Sequence, residues 1–390
     1  MKASDLLEFF STNSLSWEQL EYGGREILNL HYGLIHNGLP TQINIEESIL
    51  PSVRSEFKPR NYTLCKDGDV AFADASEDTN DVGKVVEFMN CAGREIVCGL
   101  HTIHGRDKLG KTVPGFKGYA FSSSAFHNQI KRIAQGTKIF SINTGCFEET
   151  FIGIPNKEEQ RKIASLLLHI DQRIALQNKV IEDLKKLKSA LCEVLFSHGR
   201  TLPVSISDIG EYFSVDNLSK DDLTDSGVEC VLYGELFTTY GRVISNIKSR
   251  TTRLIDNGAS LSNTNDLLFP ASTTVDAISL ISPSAITKPG VILGGDMFGI
   301  RLSTKYNNQY MSNLLYYCYR EKLASYAQGS TIIHLHYKDI EKVRIMVHPK
   351  ENQDRIAAIL GFLDKYIANE QEIEKVYKGQ KAFFIRQLFI

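Results

Sequence analysis

The sequence has 390 residues, of which 42% are hydrophobic and 23% charged, and its formal net charge is −2. This is the composition of a globular protein, and the length suits two to four folding units rather than a single core. No apolar stretch reaches the length of a signal-peptide core or of a membrane span, so we expect a cytoplasmic protein. The net charge excludes a chain that is basic throughout, so any contact with nucleic acid must be local.

The first 153 residues predict an α+β domain. Short β-rich runs at 69–73, 84–88 and 96–98 alternate with turn signals, and short helices are expected at 4–10 and 125–134.

Two basic clusters lie in the predicted loops of this domain. One lies within 54–62 and the other within the Gly- and Pro-rich stretch 104–119. Arg and Lys bind phosphates or read guanine edges, so these side chains are candidate DNA-binding residues, although an ordinary solvated loop would have the same composition. The candidates are Arg54, Lys58, Arg60, His104, Arg106, Lys108, Lys111 and Lys117.

Residues 154–199 predict one long helix with an apolar seam. Ten positions step by four and three along it, and eight of them are Ile or Leu, with Gln177 and Lys188 as the exceptions. Asn156 can cap the start of the helix and Gly199 can close its end. The seam residues are Ile163, Leu167, Ile170, Ile174, Ile181, Leu184, Leu191 and Leu195.

Residues 200–346 predict a second α+β domain. It has β-rich runs at 228–233, 266–269 and 290–293 and an expected helix at 311–327. A stretch without acidic residues supplies four candidate DNA-binding side chains, and four more positions are weaker candidates. They are Arg242, Lys248, Arg250 and Arg253, followed by Ser272, Thr273, Thr274 and Arg301.

Residues 347–390 predict a second long helix, which is a copy of the first. Shifted by 193 residues, 157–196 aligns with 350–389 without a gap and is identical at 13 of 40 positions. Composition alone would give roughly two or three identities. The same shift aligns 134–136 with 327–329, so the repeat includes the end of each preceding domain. The second seam is predicted to follow Ile356, Leu360, Leu363 and Ile367 and then to drift to Ile373, Tyr377, Phe384 and Leu388.

Two such helices in one chain can bury their apolar stripes against each other, most simply in an antiparallel pair. Forty helical residues span about 60 Å. The predicted fold is therefore α+β, with two twisted-sheet domains separated by two long antiparallel helices in a coiled coil and related by a pseudo-two-fold repeat. The expected boundaries are 1–153, 154–199, 200–346 and 347–390.

The sequence lacks the motifs of the common enzyme classes. Neither a G-x-x-x-x-G-K-[ST] phosphate loop nor a G-x-G-x-x-G dinucleotide motif occurs, so we expect no catalytic residue and no cofactor in this chain. Asp171 with Asp183 and Lys185 has a spacing loosely like that of a metal-dependent nuclease. These residues fall within the predicted helix, whereas nuclease carboxylates usually converge from strands.

Metal and disulfide sites are not predicted either. The seven cysteines are scattered and form no Cys-x2-Cys pair. The pairs His101/His104 and His334/His336 have ligand-like spacing, but the sequence offers neither pair a third ligand, so no metal site is expected.

The repeated helix carries a family resemblance. The tract that begins Ile154-Pro-Asn-Lys-Glu-Glu-Gln-Arg-Lys-Ile-Ala, followed by Leu-x-x-Ile-Asp and Leu-x-x-Leu-Lys, resembles the helix of type I restriction–modification specificity subunits. Its second copy begins Pro349-Lys-Glu-Asn-Gln-Asp-Arg-Ile-Ala and resembles the same helix. The resemblance covers the whole chain, in the order domain, helix, domain, helix.

The resemblance implies a non-catalytic subunit whose two target-recognition domains each read one half of a split double-stranded DNA site. It implies that the helix pair sets the spacer and docks two modification subunits, which use S-adenosylmethionine to methylate adenine N6. Two motor–nuclease subunits, which use ATP and Mg²⁺, complete the restriction enzyme.

Two other classes of protein remain open from the residues alone. One is a coiled-coil interaction scaffold without a role on DNA, and the other is an enzyme, such as a nuclease, whose site the sequence does not reveal.

Overall fold

The computed structural model describes residues 1–24, 27–215, 217–252 and 261–389, and it combines helices with several β-sheets. The chain divides into two compact units, one formed by Met1–Lys179 with Gln371–Ile390 and the other by Val180–Glu370. Each unit contains one α+β body together with part of each long helix. The predicted boundaries instead separate the helices from the bodies, and that division stays a prediction.

The first body contains mostly short elements. In chain order they are α1 (Ala3–Leu6), β1 (Leu7–Phe10), β2 (Leu20–Glu21), β3 (Leu28–Leu30), α2 (Tyr32–His36), β4 (Gln42–Asn44), β5 (Ser52–Val53), β6 (Val70–Ala73), β7 (Ala75–Ser76), β8 (Val85–Met89), β9 (Ile96–Cys98), β10 (Thr102–Asp107), α3 (Lys117–Ser122), α4 (Ser124–Ile133) and β11 (Phe140–Ser141). The long helix α5 (Lys157–Ser197) follows.

The second body has the same alternation of strands and short helices. Its elements are β12 (Leu202–Ser205), β13 (Gly210–Ser214), β14 (Leu223–Leu232), α6 (Glu235–Thr238), β15 (Val243–Ile244), β16 (Ser249–Thr251), β17 (Asp266–Pro270), β18 (Ser272–Thr273), α7 (Ala277–Leu280), β19 (Ser284–Ile286), β20 (Ile292–Gly294), β21 (Met297–Leu302), α8 (Asn308–Cys318), α9 (Arg320–Ala324), β22 (Ile333–His334), α10 (Tyr337–Ile340) and β23 (Arg344–Val347). The long helix α11 (Lys350–Leu388) follows.

The main sheet has one topology in both bodies. The strand order is β1-β10-β6-β8-β4 in the first and β13-β21-β17-β19-β15 in the second. In each sheet the last pair, β8 with β4 or β19 with β15, is parallel and the other pairs are antiparallel. The duplication therefore extends over the whole domain, although the sequences outside the helices have diverged.

Aromatic side chains fill the core behind the first main sheet. Phe72 on β6 contacts Phe121 on α3 at a ring distance of 5.1 Å, and Phe121 contacts Phe126 on α4 at 4.7 Å. Ser123 accepts a hydrogen bond from the Phe126 amide and so starts α4 where the chain leaves α3. These contacts fix the helices against the sheet and leave the loops at its edges to carry other functions.

One predicted helix is wrong in part. The sequence favours a helix over residues 4–10, but α1 ends at Leu6 and β1, Leu7–Phe10, pairs with β10. The physical reason is that β1 lies at the edge of the main sheet, where pairing with a neighbouring strand outweighs local helical preference.

The long helices have the predicted ends. The Asn156 side chain accepts hydrogen bonds from the Glu158 and Glu159 amides, each at 3.0 Å, and Gly199 follows α5 with a φ of 100°. Such a positive φ favours glycine because a Cβ atom would be strained there.

A repeated glutamine anchors each helix to the body before it. Gln160 accepts a hydrogen bond from the Val113 amide and donates to the carbonyl of Lys111, and both of its contacts lie in the first unit. In the second unit Gln353 accepts from the Asn307 amide and donates to the carbonyl of Lys305. The repeat has glutamine at both positions because each side chain makes the same hydrogen bonds between its helix and the preceding body.

A repeated ion pair joins the two helices within each unit. Lys381 Nζ lies 2.6 Å from Asp171 Oδ1 in the first unit, and Lys188 Nζ lies 2.6 Å from Asp364 Oδ1 in the second. Tyr119 of the first body also donates a hydrogen bond to Asp171. A second pair of neighbours in each unit, Arg173 with Tyr377 in the first and Leu191 with Ile359 in the second, shows that residue numbers rise along one helix as they fall along the other. The helices are therefore antiparallel in each unit, as predicted.

The predicted seam of α5 is less exposed than the rest of that helix. Leu167, Ile170 and Ile181 are buried, and Lys188 is buried among them because its charge is paired. The other predicted seam positions are half-buried; they are Ile163, Ile174, Leu184, Leu191 and Leu195.

The predicted drift of the second seam is wrong at two positions. Ile356, Leu360 and Ile367 are buried, and Leu363, Tyr377 and Phe384 are half-buried. Ile373 is 39% exposed and Leu388 36% exposed.

The regular spacing of three and four continues from Ile367 through Glu370, Glu374, Tyr377 and Lys381, all of which are half-buried. Polar side chains are accommodated on this face because Lys381 is paired with Asp171 and Glu374 with Lys378. In the part of the chain that the structure describes, none of the helices has both the length and the hydropathy needed to cross a membrane.

Candidate nucleic-acid interface

Two of the candidate arginines form ion pairs with buried aspartates at matching places in the two sheets. Arg106 lies on β10, beside β6. Its Nε and Nη2 donate hydrogen bonds to the Asp69 carboxylate at 2.8 and 2.7 Å. Arg301 bonds Asp266 in the same two-pronged way at 3.0 and 3.1 Å. Each arginine also donates to a carbonyl five residues before its aspartate. Their hydrogen-bonding groups are thus engaged within the protein, as in a structural ion pair.

The Asp69 carboxylate lies at the centre of a small charged network. Burial raises its pKa, but hydrogen bonds from His104 and Arg106 outweigh that effect and leave the pKa below its ordinary value. The arginine stacks over Phe10, with 4.7 Å from its Cζ to the ring centroid, and Arg301 stacks over Phe213 at 5.0 Å. The Asp–Arg pair and the aromatic ring under the arginine are thus repeated in both units, whereas His104 belongs to the first unit alone.

Two more candidates of the first domain are buried, where the sequence predicts an exposed loop. His104 has no exposed surface and lies on β10, and Lys117 is 2% exposed at the start of α3. Lys117 Nζ bonds Thr112 Oγ1 at 2.8 Å and lies 3.5 Å from Glu87 Oε1. The composition of 104–119 predicts one loop, but the stretch contains the end of a strand and the start of a helix.

The remaining candidates of the first domain lie on its surface. Lys108 and Lys111 are exposed in the turn after β10, and Arg54, Lys58 and Arg60 are exposed after β5. Two exposed aromatic side chains accompany the second group, since Phe57 is 40% exposed and Trp17, on the segment paired with β5 through β2, is 43% exposed. Basic and aromatic groups side by side suit a nucleic acid.

In the second unit the structure brings separate candidates together. Arg242 and the stretch 272–274 line one cavity of about 640 Å³. Ser272 and Thr273 lie on the short strand β18 and Thr274 follows it. The cavity wall also contains Tyr316 and Arg320, neither of which is among the candidates predicted from the sequence.

Two guanidinium groups contact one aromatic ring at this cavity. The Cζ atoms of Arg242 and Arg320 lie 4.1 and 4.6 Å from the centroid of the Tyr316 ring. Burial lowers the pKa of Arg242 to about 10, which leaves it charged at neutral pH. Arg242 also donates hydrogen bonds to Ser282 Oγ and to the Pro283 carbonyl, and Arg320 donates one to the Ile278 carbonyl, so both side chains are held in place. A fixed positive wall with small hydroxyl side chains is suited to anionic groups.

The other candidates in the second unit have different surroundings. Lys248 is exposed, and Arg250 is exposed but donates to the Gly227 carbonyl and lies 3.8 Å from Glu229. Arg253 lies outside the described residues.

A matching place in the first unit also contains basic side chains. The cleft beside α4 is lined by Lys84, His127 and Lys131, and the shift of 193 residues that relates the long helices places His127 at the position of Arg320. This cleft could have been predicted by applying the 193-residue shift to the residues before the long helices as well.

The two histidines of the pair His101/His104 have different neighbours, and two other ligand side chains lie near His104. Cys65 and Cys98 approach it in the interior of the first unit. His101 instead lies 3.1 Å from Asp74, and the nuclease-like carboxylate Asp171 is bonded to Lys381 and Tyr119, so neither belongs to this cluster.

Comparison with known proteins gives a consistent result. The family model described as type I restriction modification DNA specificity domain matches residues 95–186 and 203–377. A protein of Methanocaldococcus jannaschii is 24% identical over 336 residues, which cover 80% of this chain and 76% of that protein. Its name is putative type I restriction enzyme MjaX specificity subunit. The type I restriction enzyme MjaVIII specificity subunit of the same organism is 37% identical over 70 residues, 18% of this chain and 16% of that one.

Solved structures show the same fold. The crystal structure of the type I restriction–modification S subunit from M. genitalium has a TM-score of 0.59 at 16% identity, with 100% of this chain and 95% of that chain covered. A chain from a structure on complex assembly and conformational transition of the type I R-M system has a TM-score of 0.58 at 14% identity, with 100% and 96% covered. Since the family model matches both halves of the duplication and more than half of the residues, the chain belongs to the family of the type I restriction modification DNA specificity domain.

Proposed function

We propose that this chain is the DNA-reading subunit of a type I restriction–modification complex and that each of its two bodies reads one half of a bipartite DNA site. The observation that carries the proposal is one sheet topology used twice, with the Asp–Arg pair kept in both copies and the exposed basic groups differing between them. A common scaffold with unlike loops is what two readers of different sequences require.

The exposed basic groups give each body its own contact chemistry. In the first body, the residues after β5 combine three basic side chains with exposed aromatic rings. In the second, the cavity beside Tyr316 combines two arginines with six serine and threonine side chains. Basic groups bind phosphates and read guanine, while hydroxyl groups accept or donate to several base edges. We therefore expect the two half-sites to differ in sequence.

The long helices offer a second surface, suited to protein partners. Six large apolar side chains on α11 lie outside its buried seam and are spaced by three, four or seven residues. They are Ile359, Phe362, Tyr366, Ile373, Val376 and Phe383, each at least 39% exposed. The misplaced Ile373 belongs to this outer stripe. An exposed stripe of this regularity is typical of a helix that packs against another protein.

We assign the outer stripe to the docking of two modification subunits, which would bind S-adenosylmethionine and methylate adenine N6. Two motor–nuclease subunits, which would use ATP and Mg²⁺, would complete the restriction enzyme. On this proposal the chain itself uses no cofactor and supplies only recognition and assembly.

The test is the methylation pattern of a host that expresses this chain with its modification partner. We expect one bipartite site to become methylated, and no methylation when either subunit is expressed alone. A domain-exchange variant, in which the corresponding domain of another family member replaces residues 200–346, should change one half-site and leave the other. Methyl transfer by the purified chain alone, or a change in both half-sites after the exchange, would contradict the proposal.

A further inference from the structure

The first unit contains a buried cluster of two cysteines and one histidine. Cys65 is 4% exposed, Cys98 2% and His104 0%. The two sulfur atoms and a ring nitrogen of the histidine all lie within 4.8 Å of one another, and the sulfurs are 3.6 Å apart. Sulfur and imidazole are the donors that zinc prefers in proteins.

The hydrogen bonds of His104 leave one of its nitrogens without a partner. Nε2 lies 2.8 Å from Asp69 Oδ2, and since a carboxylate can only accept, Nε2 is the donor of this hydrogen bond. Nδ1 is buried and has no hydrogen-bond partner among the described residues. A buried acceptor without a partner is destabilising, so it needs an occupant. Histidines that bind metals have this arrangement, with one nitrogen on the ion and the other donating to a carboxylate.

We propose that Cys65, Cys98 and His104 bind a zinc ion. Two sulfurs at about 2.3 Å from a tetrahedral zinc lie roughly 3.7 Å apart, which matches the separation found, whereas a disulfide requires about 2.05 Å. Two packed thiols would be equally close, so the proposal rests on a second observation as well, the buried Nδ1 of His104 that has no hydrogen-bond partner among the described residues.

The charges of the cluster also balance around a divalent ion. Two thiolates neutralise the ion, and the nearby Asp69 carboxylate is neutralised by Arg106. The buried site would therefore carry no net charge, which avoids the large penalty of an unpaired ion in the interior. A water molecule in the fourth position completes the tetrahedron.

The second unit provides an internal comparison. It keeps the Asp266–Arg301 pair, but by sheet register its residue at the place of His104 is Gly299. At the place of Cys65, four residues before the aspartate, it has Ser262, which bonds the backbone.

The Phe213 ring occupies the space beside Gly299, since a Cβ atom there would approach it to 2.1 Å. The scaffold therefore does not require the donors at the places of Cys65 and His104, and their presence in the first unit is an addition to it.

The ion would fasten three segments of the first unit to one another. Cys65 lies before β6, Cys98 ends β9 in the small sheet, and His104 lies on β10 in the main sheet. The site would thus be structural, and it does not depend on the proposed function.

The test measures the zinc content of the full chain, purified under reducing conditions without chelator, by elemental mass spectrometry. We expect about one zinc per chain. In the double variant Cys65→Ser with Cys98→Ser, the zinc content per chain should fall at least about tenfold. The control variant Cys192→Ser, which changes a buried cysteine of the second unit, should keep its zinc. After removal of zinc from the wild-type chain with a chelator, adding Zn²⁺ should raise Tm by on the order of 5 °C.

The wild-type measurements keep the proposal falsifiable even where the double variant does not fold. A zinc-free wild-type chain whose Tm does not respond to Zn²⁺ would overturn it. So would a Cys65–Cys98 disulfide found by mass spectrometry, or a double variant that keeps its zinc.

Discussion

Arg106 and Arg301 show how burial decides which basic side chains can meet a ligand. Both occur in stretches whose composition is that of a DNA-binding loop, yet each forms two hydrogen bonds with an aspartate whose side chain is 0–2% exposed. Removing one partner from such a pair leaves a buried charge without compensation, which is more destabilising than the loss of an exposed ion pair.

We therefore predict that Arg301→Ala affects stability and not sequence recognition. The free energy of unfolding should fall by about 2 kcal/mol, a value discounted because the arginine itself is partly exposed. Arg301→Lys should recover only part of the loss, since lysine cannot form the two-pronged bond. Urea unfolding measures both variants, with Arg344→Ala, an exposed residue of β23, as the control. An altered half-site in the Arg301 variants would contradict the structural role.

Arg320 is the opposite case, because it lines the cavity of the second unit although no sequence pattern singles it out. We predict that Arg320→Gln weakens DNA binding by the methyltransferase complex by roughly 5- to 150-fold, the range for a lost base contact. If it contacts a phosphate instead, binding should weaken equally on all sequences and the salt dependence should become shallower. Lys322→Gln is the matched control, because Lys322 lies on the same helix but not in the cavity wall. Equal effects of the two variants would refute the assignment.

Among the elements, the long helices are held together by polar contacts as well as by their apolar seam. The paired residues Asp171 with Lys381 and Lys188 with Asp364 occupy equivalent places in the repeat, which explains why both aspartates and both lysines were retained. A charged pair at a mostly apolar seam is a means of fixing helix register, because other registers would bury unpaired charges.

We predict that Lys188→Ala destabilises the second unit by about 1–2 kcal/mol, since Lys188 is buried and Asp364 is only partly so. The exchange Lys188→Asp with Asp364→Lys should recover part of this loss. A double-mutant cycle in urea measures the coupling. A coupling energy of zero would show that the pair contributes only packing.

The outer stripe of α11 leads to a different prediction, because its side chains are exposed in the chain alone. Phe362→Ser with Val376→Ser should change the free energy of unfolding by less than about 0.5 kcal/mol. The same variant should lose the modification partner in co-purification and lose methylation in the host. Lys365→Ser with Lys375→Ser, exposed neighbours off the stripe, should retain both. Retained co-purification by the stripe variant would exclude this surface as the docking site.

At the scale of the whole molecule, the proposed spacer depends on helix length. A four-residue insertion adds about 6 Å and a rotation of about 40° to a helix, close to the rise and twist of one or two base pairs. We predict that inserting four residues after Gln177 and after Lys375 lengthens the spacer by roughly one to two base pairs. Methylome sequencing should show both half-sites unchanged. An unchanged spacer, or altered half-sites, would contradict the role of the helices as a ruler.

The sequence by itself determined the plan of the protein: two α+β bodies, two long helices and a duplication. These follow from hydrophobic periodicity and from internal sequence similarity, both of which can be recognised without knowledge of the tertiary contacts. It also determined the helix cap at Asn156 and most of the seam, because three- and four-residue spacing places side chains on one helical face whatever the partner is.

Only the tertiary structure decided which polar residues are exposed to a ligand and which are buried or paired within the protein. Arg106 and Lys117 lie in the same basic stretch as Lys108, but only the first two pair with buried carboxylates, of Asp69 and Glu87. Cys65, Cys98 and His104 are up to 39 positions apart, so their convergence had no local pattern. Burial and contact depend on residues distant in the chain, and for this reason the helices could be predicted from sequence while the candidate site had to be found in the fold.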